Sequence, residues 1–122
     1  MMINLAPTIH RQRLVIEGYP VEAISDQQIK EYLSQLSKVI DMKQLIEPVT
    51  HRSDLYGWAG WIHWETSGAH FYAWEQPLLF FSVDIYTCKQ FDPLSAVALL
   101  SNSLTLLLLN IKSFNDDRYR AL

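Results

Sequence analysis

The chain has 122 residues, of which 49% are hydrophobic and 12% aromatic, and its formal net charge is −3. This composition excludes a disordered chain, and the length indicates a single domain, residues 1–122, that can bury a core of its own. The lysines and arginines are scattered along the chain, so no basic stripe indicates nucleic acid as a partner.

Cysteine usage and hydropathy indicate the compartment. The one cysteine, Cys88, excludes an internal disulfide and suits a reducing environment, so we expect a cytoplasmic protein. The N-terminus lacks the cationic start and apolar segment of a signal peptide. The longest apolar stretch, Leu104 to Leu109, is too short to cross a membrane and is predicted to be the buried part of a helix.

The first half of the chain begins with a predicted strand over residues 14–17. A helix follows, because Ser25 and Gln28 form a capping box before apolar residues at helical spacing. Residues 44–50 form a short strand candidate that Pro48 makes an edge or irregular one. Aromatic and β-branched runs at 57–64, 69–74 and 78–86, separated by turn residues, then predict three consecutive antiparallel strands.

A second helix is predicted near the end of the chain. Asp92 and Pro93 suit the N-cap and first helical positions. One wide apolar face then follows, made of Leu94, Val97, Leu100, Leu104, Leu107, Leu108 and Ile111. The polar tail, residues 115–122, is either a short last strand or a frayed end. The predicted fold is therefore α+β, a two-layer sandwich of an antiparallel sheet with two main helices packed on one face.

Two nucleophilic side chains stand out. Ser67 lies at the junction of two predicted strands, and Cys88 ends a third. A Thr-Ser pair is usually only a turn, and a single cysteine is usually a small buried residue. Because strand side chains alternate between faces, the sequence nevertheless allows a polar cluster on one sheet face. Its members would be Ser67, His70, Tyr72, Asp84 and Cys88.

The order and spacing of several motifs, over about residues 13 to 100, resemble one family. Arg13–Tyr19 is similar to an opening strand of the form His-Leu-x-x-Glu-x-Tyr-Gly. His51 and Arg52, followed by Gly57 and Gly60, resemble a His-Arg-x4-Gly-Val-Ser-Gly motif. The most specific match is Val83–Cys88, which resembles Val-Asp-Val-Phe-Thr-Cys. These are motifs of the small S-adenosylmethionine decarboxylase proenzymes of bacteria and archaea.

The resemblance implies a pyruvoyl-dependent decarboxylase that serves spermidine biosynthesis and forms its cofactor by self-cleavage. Ser67 falls on the serine that becomes the pyruvoyl group, so cleavage at Thr66–Ser67 would give chains of residues 1–66 and 67–122. Cys88 falls on the cysteine that returns a proton to the substrate. The sulfonium and adenine of S-adenosylmethionine call for an anionic or aromatic wall, for which the candidates are Tyr19, Trp58, Glu65 and Trp74. Small family members pair as homodimers.

Four positions depart from the family pattern. Thr66 stands in place of a glutamate, Gly68 in place of a histidine and Ala59 in place of a serine. The histidine that assists cleavage is replaced by Tyr72. His70 lies two residues away on the same strand face, and we predict that it takes over the base role.

Three alternatives stay open from the sequence. The first is an uncleaved relative that binds a ligand or a partner without catalysis, which the four departures favour. The second is a pyruvoyl decarboxylase with another amine-bearing substrate. The third is a metal site made of His51, His63, Glu65 and His70; the cysteine pair that completes a zinc deaminase motif is absent, so no metal is expected.

Overall fold

The computed structural model describes residues 3–114, which form six strands and two helices. In chain order these are β1 (Gln12–Pro20), α1 (Asp26–Val39), β2 (Val49–Ser53), β3 (Gly57–His63), β4 (Ser67–Trp74), β5 (Phe80–Thr87), α2 (Pro93–Ser103) and β6 (Leu106–Phe114). The tail predicted at 115–122 lies outside the described residues.

All six strands belong to one antiparallel sheet with the order β2-β3-β4-β5-β1-β6. Three of its pairings join strands that follow one another in the chain. The first strand, in contrast, lies between the last two, with Leu14 opposite Ile85 on one side and Ser113 on the other. The first and last strands of the chain therefore lie side by side at one edge of the sheet.

Both helices lie on the same face of the sheet, as predicted. The capping box of Ser25 and Gln28 begins α1, and Asp92 with Pro93 begins α2. The helices contact each other where the buried Tyr32 hydroxyl donates to the Ala96 carbonyl, 3.0 Å away. Alternate strand residues, among them Leu14, Ile16, Ala69, Phe71, Val83 and Ile85, complete the core beneath them. The predicted two-layer α+β sandwich is confirmed.

Close approach at one glycine allows α1 to pack on the sheet. Gly60 lies in β3 beneath the first turns of α1. A Cβ at this position would lie 2.5 Å from Cγ2 of Ile29 and 3.1 Å from Cγ2 of Thr50. A side chain there would push the helix away from the sheet, so the glycine is required by packing rather than by backbone conformation.

The second helix is shorter than predicted. It ends at Ser103, and the predicted helical stretch from Leu104 to Ile111 instead belongs largely to β6. Ser101, Asn102 and Ser103 are weak helix formers, and the backbone of Leu104 is already extended, with φ −131° and ψ 149°. The free edge of β1 supplies hydrogen-bonding partners for the leucine run, so it pairs as a strand.

The early strands also differ in extent from the prediction. The strand predicted at 44–50 forms at Val49–Ser53, and only an isolated bridge between Gln44 and Trp64 precedes it. Pro48, just before this strand, agrees with the expectation that a proline stays outside a regular ladder. Within residues 3–114, no helix is long and apolar enough to cross a membrane.

Candidate active site

Three residues meet where β4 begins and β5 ends. The backbone N–H of Cys88 donates to the Thr66 carbonyl oxygen at 3.2 Å and to the Ser67 Oγ at 3.2 Å. The Thr66 Oγ1 lies 3.0 Å from the Ser67 Oγ. One N–H thus contacts both the Ser67 hydroxyl and the carbonyl of the peptide bond that precedes Ser67.

Local hydrogen bonds hold this junction in place. The Trp64 N–H donates to the Ser67 carbonyl at 2.8 Å, which closes the turn between β3 and β4. The indole of Trp64 is buried and donates to the Ser37 hydroxyl of α1 at 2.7 Å. The turn is therefore tied to the helix beneath it.

The segment after β5 is anchored to β1. The buried side chain of Gln12 donates to the Phe91 carbonyl at 2.9 Å and accepts from the Phe91 N–H at 3.2 Å. The Thr87 hydroxyl donates to the Lys89 carbonyl at 2.8 Å. These contacts on both sides of Cys88 fix the direction of its N–H.

A cavity of about 590 Å³ opens beside Ser67. Its size is in the range of small-molecule sites. Most of its strand residues alternate with buried core positions, so it lies on the sheet face opposite the helices. It is lined by Arg13, Leu45, His63, Trp64, Ser67, Gly68, His70, Asp84 and Tyr86.

Charged and titratable side chains form one wall of this cavity. Arg13 donates two hydrogen bonds to the Asp84 carboxylate, 2.9 Å from Nε to Oδ1 and 2.7 Å from Nη2 to Oδ2. His70 is directly opposite Asp84 in the β4–β5 register. The cavity therefore carries an imidazole next to a carboxylate whose oxygens are already engaged by a guanidinium.

Tyr86 connects the cavity to the thiol. Burial, followed by the charge of Cys88 and a side-chain hydrogen bond with it, raises the pKa of the Tyr86 hydroxyl above its ordinary value. Arg11 acts in the opposite direction. The Cys88 thiol is thus beside a cavity-lining phenol that stays protonated around neutral pH.

The predicted polar cluster forms only in part. His70 and Asp84 face the cavity, and the ring of Tyr72 stacks on that of His70 with 6.1 Å between centroids. By strand alternation, Ser67 and His70 belong to opposite faces of the sheet. Ser67 nevertheless reaches the cavity because it is the first residue of its strand. Cys88 joins through its backbone contact with Ser67 and its side-chain contact with Tyr86.

The predicted substrate-binding residues do not line this cavity. Trp58 and Trp74 border a smaller cavity of about 130 Å³. Trp74 is at the opposite end of β4 from Ser67, about 23 Å along the strand. Tyr19 packs edge-on against Phe80 at 6.3 Å, and Glu65 pairs with Lys43 at 3.2 Å. Their role in substrate binding stays a prediction.

The residues of the hypothetical metal site are not assembled. His51, His63 and His70 lie on three successive strands, and the side chain of Glu65 is engaged by Lys43. Among residues 3–114, no group of three or more His, Cys, Asp or Glu is placed to hold a metal ion.

Sequence reasoning did not assign Arg13 and Tyr86 to the site. In the sequence Arg13 is only the first residue of the opening-strand motif, and it contacts Asp84 from 71 positions away in the chain. Tyr86 lies inside the Val83–Cys88 motif, and its alternation with Asp84 was the available signal. Pairing of β1 with β5 is what brings both residues to the cavity.

Comparison with known proteins agrees with this architecture. The sequence model described as S-adenosylmethionine decarboxylase matches residues 12–115. The chain therefore belongs to the S-adenosylmethionine decarboxylase family. A search of the curated proteins gives no match.

A solved structure shares the fold. The adenosylmethionine decarboxylase from Aquifex aeolicus VF5 superposes with a TM-score of 0.70 at 16% sequence identity, covering 87% of this chain and 89% of that chain. At this identity the match establishes the fold alone.

Proposed function

We propose that this chain is a pyruvoyl-dependent decarboxylase of S-adenosylmethionine that forms its own cofactor by cleavage at Thr66–Ser67. The observation that carries the proposal is the Cys88 N–H, which donates to both the Ser67 Oγ and the Thr66 carbonyl oxygen. Family membership gives the reaction class, and this contact supports self-cleavage at this peptide bond.

The first step is attack of the Ser67 Oγ on the Thr66 carbonyl carbon. Negative charge then develops on the Thr66 oxygen, where a fixed N–H donor stabilises it most effectively. Breaking of the C–N bond converts the amide into an ester. The turn closed by Trp64 and the anchored Cys88 segment hold nucleophile, carbonyl and donor together, so little ordering is left for the reaction itself.

The second step eliminates the ester and needs a base for the Cα proton of residue 67. His70 lines the same cavity and is the group we assign to this role. Elimination releases residues 1–66 with a free carboxylate. Hydrolysis of the resulting dehydroalanine consumes one water, releases ammonia and leaves a carbonyl-blocked first residue on the second chain. Tyr72, at the family's histidine position, is left to stack on His70.

The residues around Ser67 fit a pyruvoyl group at this position. Ser67 lies in the wall of the 590 Å³ cavity, and Gly68 next to it leaves the approach free of a side chain. When present, the pyruvoyl carbonyl supplies the electron sink for loss of carbon dioxide from a bound amine. The protein's own groups then have to bind the substrate, orient it and return a proton to its α-carbon.

Cys88 is the proposed proton donor to that carbon. Its thiol interacts with Tyr86, which lines the cavity, and a thiol is a far stronger acid than a hydroxyl. Tyr19, Trp58, Glu65 and Trp74 remain the proposed contacts for the sulfonium and adenine, through cation–π attraction, charge and stacking. These four residues do not line the cavity beside Ser67. To contact them, the bound substrate would have to extend beyond that cavity, or a second copy of the chain would have to supply them.

The proposal also covers the oligomeric state, the pathway and the cellular compartment. We infer a homodimer, for which the edge strands β2 and β6 offer pairing surfaces. The proposed product donates aminopropyl groups for spermidine biosynthesis. The single cysteine suits the cytoplasm.

Intact mass of the purified protein tests the proposal. We expect two fragments, residues 1–66 and a second chain whose first residue carries a carbonyl, with Ser67→Ala as the uncleaved control. Added hydroxylamine should divert the ester and raise the yield of cleavage. A single full-length mass, unchanged by hydroxylamine over days, would contradict self-cleavage.

The departures favour one second candidate, an uncleaved relative that binds a ligand. Thr66, Gly68, Ala59 and Tyr72 all replace groups that assist cleavage in the family. For this function the cavity of about 590 Å³ is the binding site. Full-length mass together with saturable binding of S-adenosylmethionine would support it, and loss of that binding in Asp84→Asn would assign the cavity.

A further inference from the structure

Thr66 is distinguished by a contact of its side chain. The Thr66 Oγ1 lies 3.0 Å from the Ser67 Oγ, and the Thr66 residue is exposed to solvent. The Ser67 Oγ also accepts a hydrogen bond from the Cys88 N–H at 3.2 Å. In the described part of the chain, these are the hydrogen bonds that the Ser67 hydroxyl makes.

Either hydroxyl can donate in the Thr66–Ser67 hydrogen bond, and attack on the carbonyl requires Ser67 to be the donor. The Cys88 N–H occupies one lone pair of the Ser67 Oγ, and the other lone pair is needed for attack on the carbonyl. In the attacking arrangement the Ser67 hydroxyl is therefore the donor, and the Thr66 Oγ1 is an acceptor within reach. The Thr66 hydroxyl can in turn donate its own hydrogen to water.

We propose that the Thr66 hydroxyl relays the Ser67 proton to solvent during the first step of self-cleavage. This inference rests on the proposed function. It makes Thr66 a catalytic residue as well as the residue whose carbonyl is attacked. The relay assigns a role to the side chain at a position where the family carries a glutamate.

The step balances without any further reactant. The Ser67 Oγ–H proton passes to the Thr66 Oγ1, which gives its own proton to water, while the Oγ–C bond forms and the carbonyl electron pair moves to oxygen. The pair then returns, the C–N bond breaks, and the nitrogen takes a proton from water. A hydroxyl is too weak a base to keep the proton, so a solvent-exposed relay is the role open to it.

The test compares Thr66→Val with Thr66→Ser. Valine keeps the branched shape and lacks the hydroxyl, whereas serine keeps the hydroxyl and lacks the methyl group. We expect Thr66→Val to slow cleavage by about a hundredfold, the low end of proton-transfer catalysis, and Thr66→Ser to stay within about threefold of the natural chain. The rate is followed by denaturing electrophoresis with intact mass, and thermal midpoints show that each variant is folded.

Each outcome decides the matter. Equal rates for the natural chain and Thr66→Val would overturn the relay and leave self-cleavage standing. Slow cleavage in Thr66→Ser with normal cleavage in Thr66→Val would show that shape matters and the hydroxyl does not. Absence of cleavage in the natural chain would overturn self-cleavage and the relay together. If Thr66→Val is unfolded, Thr66→Ala provides the second variant without a hydroxyl.

Discussion

At the scale of single residues, Cys88 has two separable groups near the site. Its N–H contacts the peptide bond that is proposed to be cut, and its thiol lies beside Tyr86. We predict that Cys88→Ser still matures, because the substitution keeps the N–H. Its turnover should fall by about a hundredfold, because a hydroxyl is a much poorer acid than a thiol.

Maturation is measured by intact mass and turnover by release of carbon dioxide from matured protein. The two readouts separate the backbone role of Cys88 from the side-chain role. Unchanged turnover in Cys88→Ser would remove the thiol from the mechanism.

His70 provides the second residue-scale prediction. If it removes the Cα proton during elimination, His70→Ala should slow maturation by about a hundredfold. The side chain is exposed, so the thermal midpoint should change little. His63→Ala is the matched control, since it removes another imidazole from the wall of the same cavity. If His70→Ala and His63→Ala mature at the same rate, His70 is excluded as the base.

Some of these residues could be predicted from the sequence and others could not. Ser67 and Cys88 were found from the order of motifs along the chain, and the fold then placed them in contact. The pairing of Arg13 with Asp84 depends on strands far apart in sequence, which no local pattern encodes. The relay proposed for Thr66, at the position where the family has a glutamate, could be inferred only from the 3.0 Å distance between the Thr66 Oγ1 and the Ser67 Oγ.

At the scale of elements, the contact between α1 and α2 predicts a pH dependence of stability. Burial raises the pKa of Tyr32 above its ordinary value of about 10. Above that pH the unfolded chain loses the Tyr32 proton and the folded chain keeps it, so folding stability falls as pH rises. The free energy of unfolding should drop by about 1 kcal/mol per pH unit from this group.

Urea unfolding between pH 8 and 11 measures this effect, and Tyr32→Phe should flatten it. The substitution also removes the hydrogen bond to the Ala96 carbonyl, which should lower the free energy of unfolding by about 1 kcal/mol at neutral pH. Tyr56→Phe, which removes an exposed phenol, is the control and should keep the natural slope. Identical slopes for all three proteins would contradict the assignment to Tyr32.

Prediction of elements succeeded where the signal was local. The capping box of Ser25 and the Asp92-Pro93 pair fixed both helix starts within a few residues. The leucine run failed because its spacing suits a helix face as well as a strand, so periodicity alone could not decide. The decision came from the free edge of β1, which is about ninety positions earlier in the chain.

At the scale of the whole molecule, the strand order predicts how the two cleavage products behave. Cleavage after Thr66 would leave β1, α1, β2 and β3 on one fragment and the remaining elements on the other. Three strand pairings would then join the fragments, namely β3 with β4, β1 with β5, and β1 with β6. The fragments should therefore stay together without a covalent bond.

Gel filtration checks this prediction. In native buffer the matured protein should elute at the volume of Ser67→Ala, and the fragments should separate only in denaturant. Fragments that separate in native buffer would show that the sheet opens after cleavage, in conflict with the insertion of β1 between β5 and β6.

The place of β1 also has a consequence for synthesis on the ribosome. The strand β1 is synthesised before both of its neighbours, so it can pair in the sheet only after β5 and β6 have been made. The Cys88 N–H, which belongs to that late part, is also the donor to the Thr66 carbonyl. Self-cleavage would thus wait until Cys88 has been synthesised, and we expect a truncated product that stops before Cys88 to stay uncut.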